Sequence, residues 1–538
     1  MMIRLLAPLL CTLIAVVAIA DDSFPRDSLV LWLDARNADS VQTDDAGGVT
    51  RWSDQSGNNH HADAQDDAPR PARLDEAGGL VRMTPDGQPT PLRTPALTGD
   101  GGGVTGFVVA RRPAAVGDRG KWQRVLSVKT TDANDNEAGG IAWTLLPEGG
   151  GEAFPLTIYT YQRTGVGSNL PMTIGTTAEG QPGGGLLADI GEVLVFDKLF
   201  DDPSDYEAVV EYLIEKWKAD FPRGHAGWVR QGDIPSAIKP IDRTRPLFAQ
   251  TGDDGWQTLD QFTDEFDRDQ LDADKWWDHY PAWHGRPPAR YLPENVSVAD
   301  GHLRMQLKKD DSLPRVQLHA DTEEMYYGYS AAAVVSKAAR TYGCFEVRIK
   351  PARATCTSSF WINGGAVDLG GVERRNEIDV FELPAGHAGS EKKFGMNMHV
   401  FKEPETDAHW SNWGNWYADF EFADDFHVAT VVWGPRWVRW YVDGHCVRTT
   451  RNLAWHVPLQ TIFDMEIMSW LPFPPDDEFP ATYEIDYIRG WKHADWPEGD
   501  WRTGPRWTPR PIPDQPTGVT EIVREFQASK SATPRPPK

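Results

Sequence analysis

The run Asn376–Glu382, NEIDVFE, places three carboxylates within six residues of an otherwise apolar, strand-like stretch, an arrangement that costs stability unless it serves a purpose. Ile378, Val380 and Phe381 supply the β character. In a straight strand Glu377 and Asp379 share one face, whereas Glu382, five positions after Glu377, points the other way. A β-bulge near Val380 or Phe381 restores the parity and turns all three acids into one groove; bulges recur beside active sites because they re-aim a side chain. That is the equipment of retaining glycoside hydrolysis, in which one carboxylate attacks the sugar and another protonates the leaving oxygen across roughly 5–5.5 Å. Extended backbone alone holds Glu377 and Glu382 too far apart for this, so the reading requires a concavely bent strand and convergent side chains. Acids alternating with apolar residues more often mark a solvated sheet face, and the surroundings have to decide.

Upstream stand DEFDRDQLDADKWWDHYPAWHGRPPARYLPENVSVADGHLRMQL, YGCFEVRIK and SSFWING; downstream stand FHVATVVWGPRWVRWYVDG and YEIDYIRGW. In this order the segments resemble glycoside hydrolase family 16, over roughly residues 258–493, and within it the marine galactan enzymes, the agarases, porphyranases and carrageenases. The resemblance implies Glu377 as nucleophile, Glu382 as general acid/base and Asp379 as the residue between them that hydrogen-bonds the nucleophile. The residues agree, since crowded carboxylates cannot all ionise equally easily and their pKa values are pushed apart. It also implies Trp361 of SSFWING as a stacking surface beside the scissile bond, and a structural calcium away from the cleft. Asp486 is a candidate ligand for that calcium, although an acid on a final strand is ordinarily just exposed. No catalytic metal is expected, because no CxxC or HExxH spacing occurs.

Strand parity selects further groove residues. In KKFGMNMHVF, Gly395, Asn397 and His399 share one face and Phe394, Met396, Met398 and Val400 the other, so Asn397 and His399 are predicted beside the acids. The loop WWDHYPAWHGRPPAR holds Trp276, Trp277, Trp283, Arg286 and Arg290; Trp283 and Arg286 are the predicted cleft members, a stacking ring and a cation able to fork onto a sulfate. Trp410, Trp413 and Trp416 are weaker candidates for the opposite rim. Trp470 opens WLPFPPDDEF, an acidic loop with no cation of its own. Glu373, Arg374 and Arg375 read as a solvated turn.

The chain of 538 residues is long enough for two cores. Residues 1–20 read as a signal peptide, with Arg4, an apolar run from Leu5 to Val17 and Ala18-Ile19-Ala20 before Asp21, which predicts a secreted or periplasmic protein. Cys11 leaves with the leader, and Cys344, Cys356 and Cys446 are expected as buried thiols. A net charge of −25 argues against nucleic acid or an anionic membrane as partner. No cofactor is required, a monomer is expected, and the partner is an algal polysaccharide.

The expected fold is all-β in two domains. Residues 21–222 show short strand patterns, Gly-rich turns and one closing helix with Asp202 or Ser204 as N-cap; they resemble laminin-G-like or concanavalin-like β-sandwich modules. Trp32, Trp52 and Trp122 there are more often core than sugar platforms. Residues 223–257 read as a connector packed against one or both domains, 258–493 as a β-jelly-roll catalytic domain with an open cleft, and 494–538 as a proline-rich tail without regular structure. An open cleft suits endo-cleavage of a polymer. The substrate expected from Arg286 and Arg290, weighed against the acidic loop, is a partly sulfated red-algal galactan cleaved at β-1,4-galactosidic bonds, κ-carrageenan or hybrid β/κ-carrageenan (furcellaran). A β-agarase or β-porphyranase follows, then a laminarin-type β-1,3-glucanase, then a non-catalytic carbohydrate-binding protein.

Overall fold

The computed structural model describes residues 24–66, 68–75, 78–83, 90–97, 102–111, 126–128, 155–164, 171–175, 188–240, 242–252, 255–281, 283–316, 325–364, 367–368, 373–374, 376–401, 409–497 and 508–509. Residues 1–20 with Cys11, Trp122 and Arg375 lie outside these residues. The chain divides into two compact units between Phe221 and Pro222.

In the first unit two six-stranded sheets enclose one apolar core. One sheet is built on Gly103–Arg111 and Asp189–Phe196, the other runs from Val41–Thr43 to Leu126–Val128. Leu31, Trp52, Val108, Ile174 and Val193 meet between them. The predicted helix spans Pro203–Trp217; Asp202 is its N-cap, accepting from the Ser204 amide at 2.9 Å, and Lys218 closes it in the left-handed region. Trp32 and Trp52 are buried, as the core reading expected. The indole of Trp32 and the hydroxyl of Tyr212 both donate to buried Glu192, at 2.7 and 2.8 Å, which gives this carboxylate partners it would otherwise lack.

In the second unit an eleven-stranded and an eight-stranded sheet pack face to face, the layered antiparallel arrangement of a jelly roll. The eight-stranded sheet carries, as consecutive neighbours, Ala333–Ser336, Gln460–Glu466, Thr357–Asn363, Asn376–Leu383 and Lys393–Val400, with Gly414–Tyr417 pairing beyond. Alternation decides which face goes in. Phe360, Ile362, Ile378, Val380, Phe381, Phe394, Met396, Met398, Phe463 and Met465 all enter one core, and the residues between them form the floor of a groove.

Residues 223–257 pack into the second unit. Trp228–Val229 pairs with His445–Arg451 and Trp256–Thr258 with Ala481–His493, so both ends of the segment extend the eleven-stranded sheet. The indole of Trp416, a rim candidate in the sequence, is buried and donates to the Gly232 carbonyl at 3.0 Å. The tail also departs from expectation: Thr508–Pro509 pairs with Val367–Asp368. Cys344, Cys356 and Cys446 are buried, as expected.

Candidate active site

The acid strand, Asn376–Leu383, has different registers on its two ends. Against Lys393–Val400, Glu377 faces His399 and Asp379 faces Asn397, but Glu382 faces Gly395, so three steps on one strand match two on the other. Against Thr357–Asn363 the slip falls between Phe381 and Asp379, opposite Phe360 and Trp361. This is the bulge expected at Val380–Phe381. Both of those side chains are in the core, and Glu377, Asp379 and Glu382 emerge together on the groove side. From the core side, Trp455 fixes the start of the strand, its indole donating to the carbonyls of Glu377 at 2.7 Å and His399 at 3.1 Å.

The acids are wired to one another. Asn363 donates an amide hydrogen bond to Glu377 Oε2. Asp379 hydrogen-bonds Glu377, and a bond between two carboxyls requires a proton on the pair. Burial, then the charge of Asp464, raise Asp379 to about 7 against the lowering effect of that bond. Burial, then the charges of Asp379 and Asp464, raise Glu382 to about 8. His399 places Nε2 3.3 Å from Asp379 Oδ2 and Nδ1 2.9 Å from His409 Nε2. The second histidine is pushed down by burial, then by His399.

Glu377, Asp379 and His399 offer ligand atoms within 4.8 Å of one another, a donor set a divalent cation could use. Glycosyl transfer to a carboxylate needs those same lone pairs free. The suggested calcium ligand already has a cation: Asp486 lies 2.7 Å from Arg348 Nη1.

The other predicted residues are distributed unevenly. Asn397 lies on the groove face beside Asp379, its carbonyl oxygen accepting from the Met398 amide. Trp361 is only 7% exposed and Tyr280 stacks over it at 5.9 Å, so its ring is part of the floor rather than an open platform. Trp283 is half-buried, edge-on to Tyr291 at 5.5 Å, with the Arg286 guanidinium 5.8 Å from its ring. Arg286 itself faces Glu466, Nε to Oε1 at 3.4 Å, and its charge also acts on Asp464, so the guanidinium is engaged with groove carboxyls before any sulfate arrives. Arg290 is buried, and burial pushes it down to about 10. Trp470 is exposed, as is Trp413, while Trp410 packs edge-on against Trp455 at 5.1 Å.

Sequence reasoning passed over Asp464 and Glu466. In IFDMEIM they alternate with Phe463 and Met465, the same parity used for the acid strand, and cross-strand pairing sets Asp464 beside Ser359, whose other neighbour is Glu382. Tyr291 donates to Asp464 Oδ2 at 2.7 Å, and burial raises Asp464 to about 6. Glu466 is driven well above the usual carboxylate range, by burial and then by Asp464.

Two sheets with a groove, and on its floor a nucleophile candidate and a carboxyl held protonated, define a glycoside hydrolase of the two-carboxylate type. Residues 256–493 match the family model "Beta-porphyranase A-D, GH16 domain". Beta-porphyranase B of Phocaeicola plebeius is 34% identical over 276 residues, 44% of this chain and 84% of that protein. Beta-porphyranase E of Zobellia galactanivorans is 34% identical over 256 residues, 44% of this chain and 88% of that protein. A third relative, beta-porphyranase D of Zobellia galactanivorans, is 40% identical over 108 residues, 20% of this chain and 25% of that protein. The chain belongs to glycoside hydrolase family 16.

Proposed function

We propose that this protein is a retaining endo-hydrolase of a sulfated red-algal galactan, cleaving β-1,4-galactosidic bonds with a porphyranase-type preference. The observation that carries the reading is the bulge at Val380–Phe381, which gathers Glu377, Asp379 and Glu382 on one face while burial keeps Glu382 protonated to about 8. Glu377 attacks the anomeric carbon as Glu382 gives its proton to the departing glycosidic oxygen. Glu382, now a carboxylate, takes a proton from the water that releases the sugar from Glu377, and both groups return to their starting states. Asp379 and Glu377 share a proton through a hydrogen bond that favours the Asp379 carboxylate at rest, and that proton has to sit on Asp379 when Glu377 attacks; His399 stands behind, 3.3 Å from Asp379 Oδ2. Three carboxylates suffice for this chemistry, without a cofactor.

The expectation of κ- or hybrid β/κ-carrageenan rests on Arg286, and the pairing of Arg286 with Glu466 removes that support. The porphyranase-type family match over residues 256–493 and the two 34% identical porphyranases favour porphyran. The same reading has the chain exported by its leader, secreted or periplasmic, and working as a monomer on polysaccharide. Purified protein offered porphyran, agarose, several carrageenans and laminarin should release reducing ends fastest from porphyran. Early NMR of the products should show the β-anomer first. Fastest release from a carrageenan would return the substrate to the first expectation, and an initial α-anomer would overturn the roles of Glu377 and Glu382.

A further inference from the structure

The groove face of Lys393–Val400 continues past Gly395 to Lys393, two residues beyond the position opposite Glu382. Direct partners of these two residues on the next strand are Asn415 and Tyr417, which parity puts on the same face. Tyr417 is 57% exposed and Trp470 51% exposed, both unusual for rings of their size in a folded unit. The Lys393 ammonium lies 5.8 Å from the Trp470 ring centroid. Among the described residues it has no carboxylate partner. Gly395 keeps the floor low between them: a Cβ there would press on the Glu382 carbonyl oxygen at 3.2 Å and touch Asn415 Oδ1 at 3.6 Å and Lys393 Cε at 3.7 Å.

The acidic loop that follows Trp470 does not cancel this charge. Asp476 is held by Lys309 at 2.7 Å, the Glu478 carboxylate accepts from the amide and hydroxyl of Thr355, and Asp477 is exposed and makes no ion pair with Lys393. The cation that the Trp470 loop lacks in sequence thus comes from a neighbouring strand. An exposed indole, an exposed phenol and an ammonium over a low floor combine a face for sugar C–H groups with a site for a fixed negative charge. On a chain of net charge −25 such a site is where an anionic polymer would be tolerated.

We infer that Lys393, Trp470 and Tyr417 form a subsite at the Glu382 end of the groove for a galactose unit carrying a sulfate ester, with Lys393 binding the sulfate. The inference rests on the galactan reading above. Full-length wild type, Lys393→Met, Lys393→Arg and Trp470→Ala are compared on porphyran and on the same polymer after chemical desulfation, at about 50 and about 500 mM salt. In Lys393→Met the ratio of kcat/KM on sulfated to desulfated polymer should fall about tenfold, the scale of a partly exposed charge-assisted contact, and mostly through KM. Salt should erode the wild-type ratio and leave that of Lys393→Met nearly level. Lys393→Arg should restore most of the ratio, and Trp470→Ala should raise KM on both polymers. An unchanged ratio in Lys393→Met, with wild-type activity intact on porphyran, overturns the subsite alone. A wild type that hydrolyses neither polymer overturns the galactan reading and the subsite with it.

Discussion

Arg286 Nε and Glu466 Oε1 stand 3.4 Å apart, and the charge of Asp464 acts on the same guanidinium. Removing the arginine leaves two buried carboxyls without their cation. Arg286→Ala is expected to lower activity on sulfated and unsulfated galactan alike and to reduce stability by roughly 2 kcal/mol, less than a fully buried pair because the guanidinium is partly solvated. Parallel kinetics on the two polymers together with thermal melts check this. A loss confined to the sulfated polymer, with an unchanged Tm, would make Arg286 a sulfate ligand after all.

Glu377→Gln and Glu382→Gln keep side-chain shape and remove the ionisable oxygen. Each should reduce kcat by at least about a thousandfold, on the scale of losing a nucleophile or a general acid. Azide should rescue turnover in Glu377→Ala by replacing the attacking group, giving a glycosyl azide of inverted configuration. Substantial residual activity in Glu377→Gln with unchanged circular dichroism would sink the assignment.

The basic limb of kcat/KM should fall near pH 8, where Glu382 loses its proton. Because the Asp464 charge helps hold that proton, Asp464→Asn should move the limb to lower pH. A limb that stays put in this variant would detach Asp464 from the acid.

Stability should follow pH in a stated direction. Asp379, Glu382 and Asp464 are raised to about 7, 8 and 6 in the folded chain, whereas unfolded carboxyls release their protons near about pH 4. Between about pH 4 and 8 the folded state therefore binds more protons than the unfolded one, and stability declines as pH rises through that window. Melting curves from pH 5 to about 8.5 should show Tm falling, with a shallower slope in Asp464→Asn. A Tm that climbs over this range would contradict the buried, protonated acids.

A chain beginning at residue 256, where the family match starts, should fold poorly compared with one beginning at 223. The shorter version loses Trp228, which is 1% exposed, and the Ala226 carbonyl that accepts from buried Arg448 at 2.9 Å. Loss of a buried tryptophan alone costs about 3–5 kcal/mol. Equal melting temperatures for the two would show the segment to be dispensable.

Period-two alternation makes most of the groove legible from the order of residues alone. It places Asn397 and His399 beside the acids, and with one bulge it joins Glu382 to Glu377 and Asp379. The same rule applied to IFDMEIM finds Asp464 and Glu466, but an inner strand near the end of the domain, with no recognised motif, gives no reason to apply it there. The surroundings of Arg286 and Trp361 are illegible for another reason. Residue type tells what each can bind, but the partners that already occupy them, Glu466 and Tyr280, come from distant stretches of chain and leave no local trace. Lys393 is hidden likewise, since its ring partner lies 77 positions away.

The row Gly395–Glu382–Ser359–Asp464 crosses four strands through direct pairing, so the spacing of the reacting groups is fixed by sheet register alone. A slip of one residue in any of these strands would invert its faces, sending acids into the core and phenylalanines into the groove. Any molecule that folds is thereby obliged to carry an assembled reaction centre. The rims, borne on loops such as the one around Trp470, are under no such obligation. Descendants of this chain could exchange one polysaccharide for another by rewriting loops while the bond-breaking step passed on untouched.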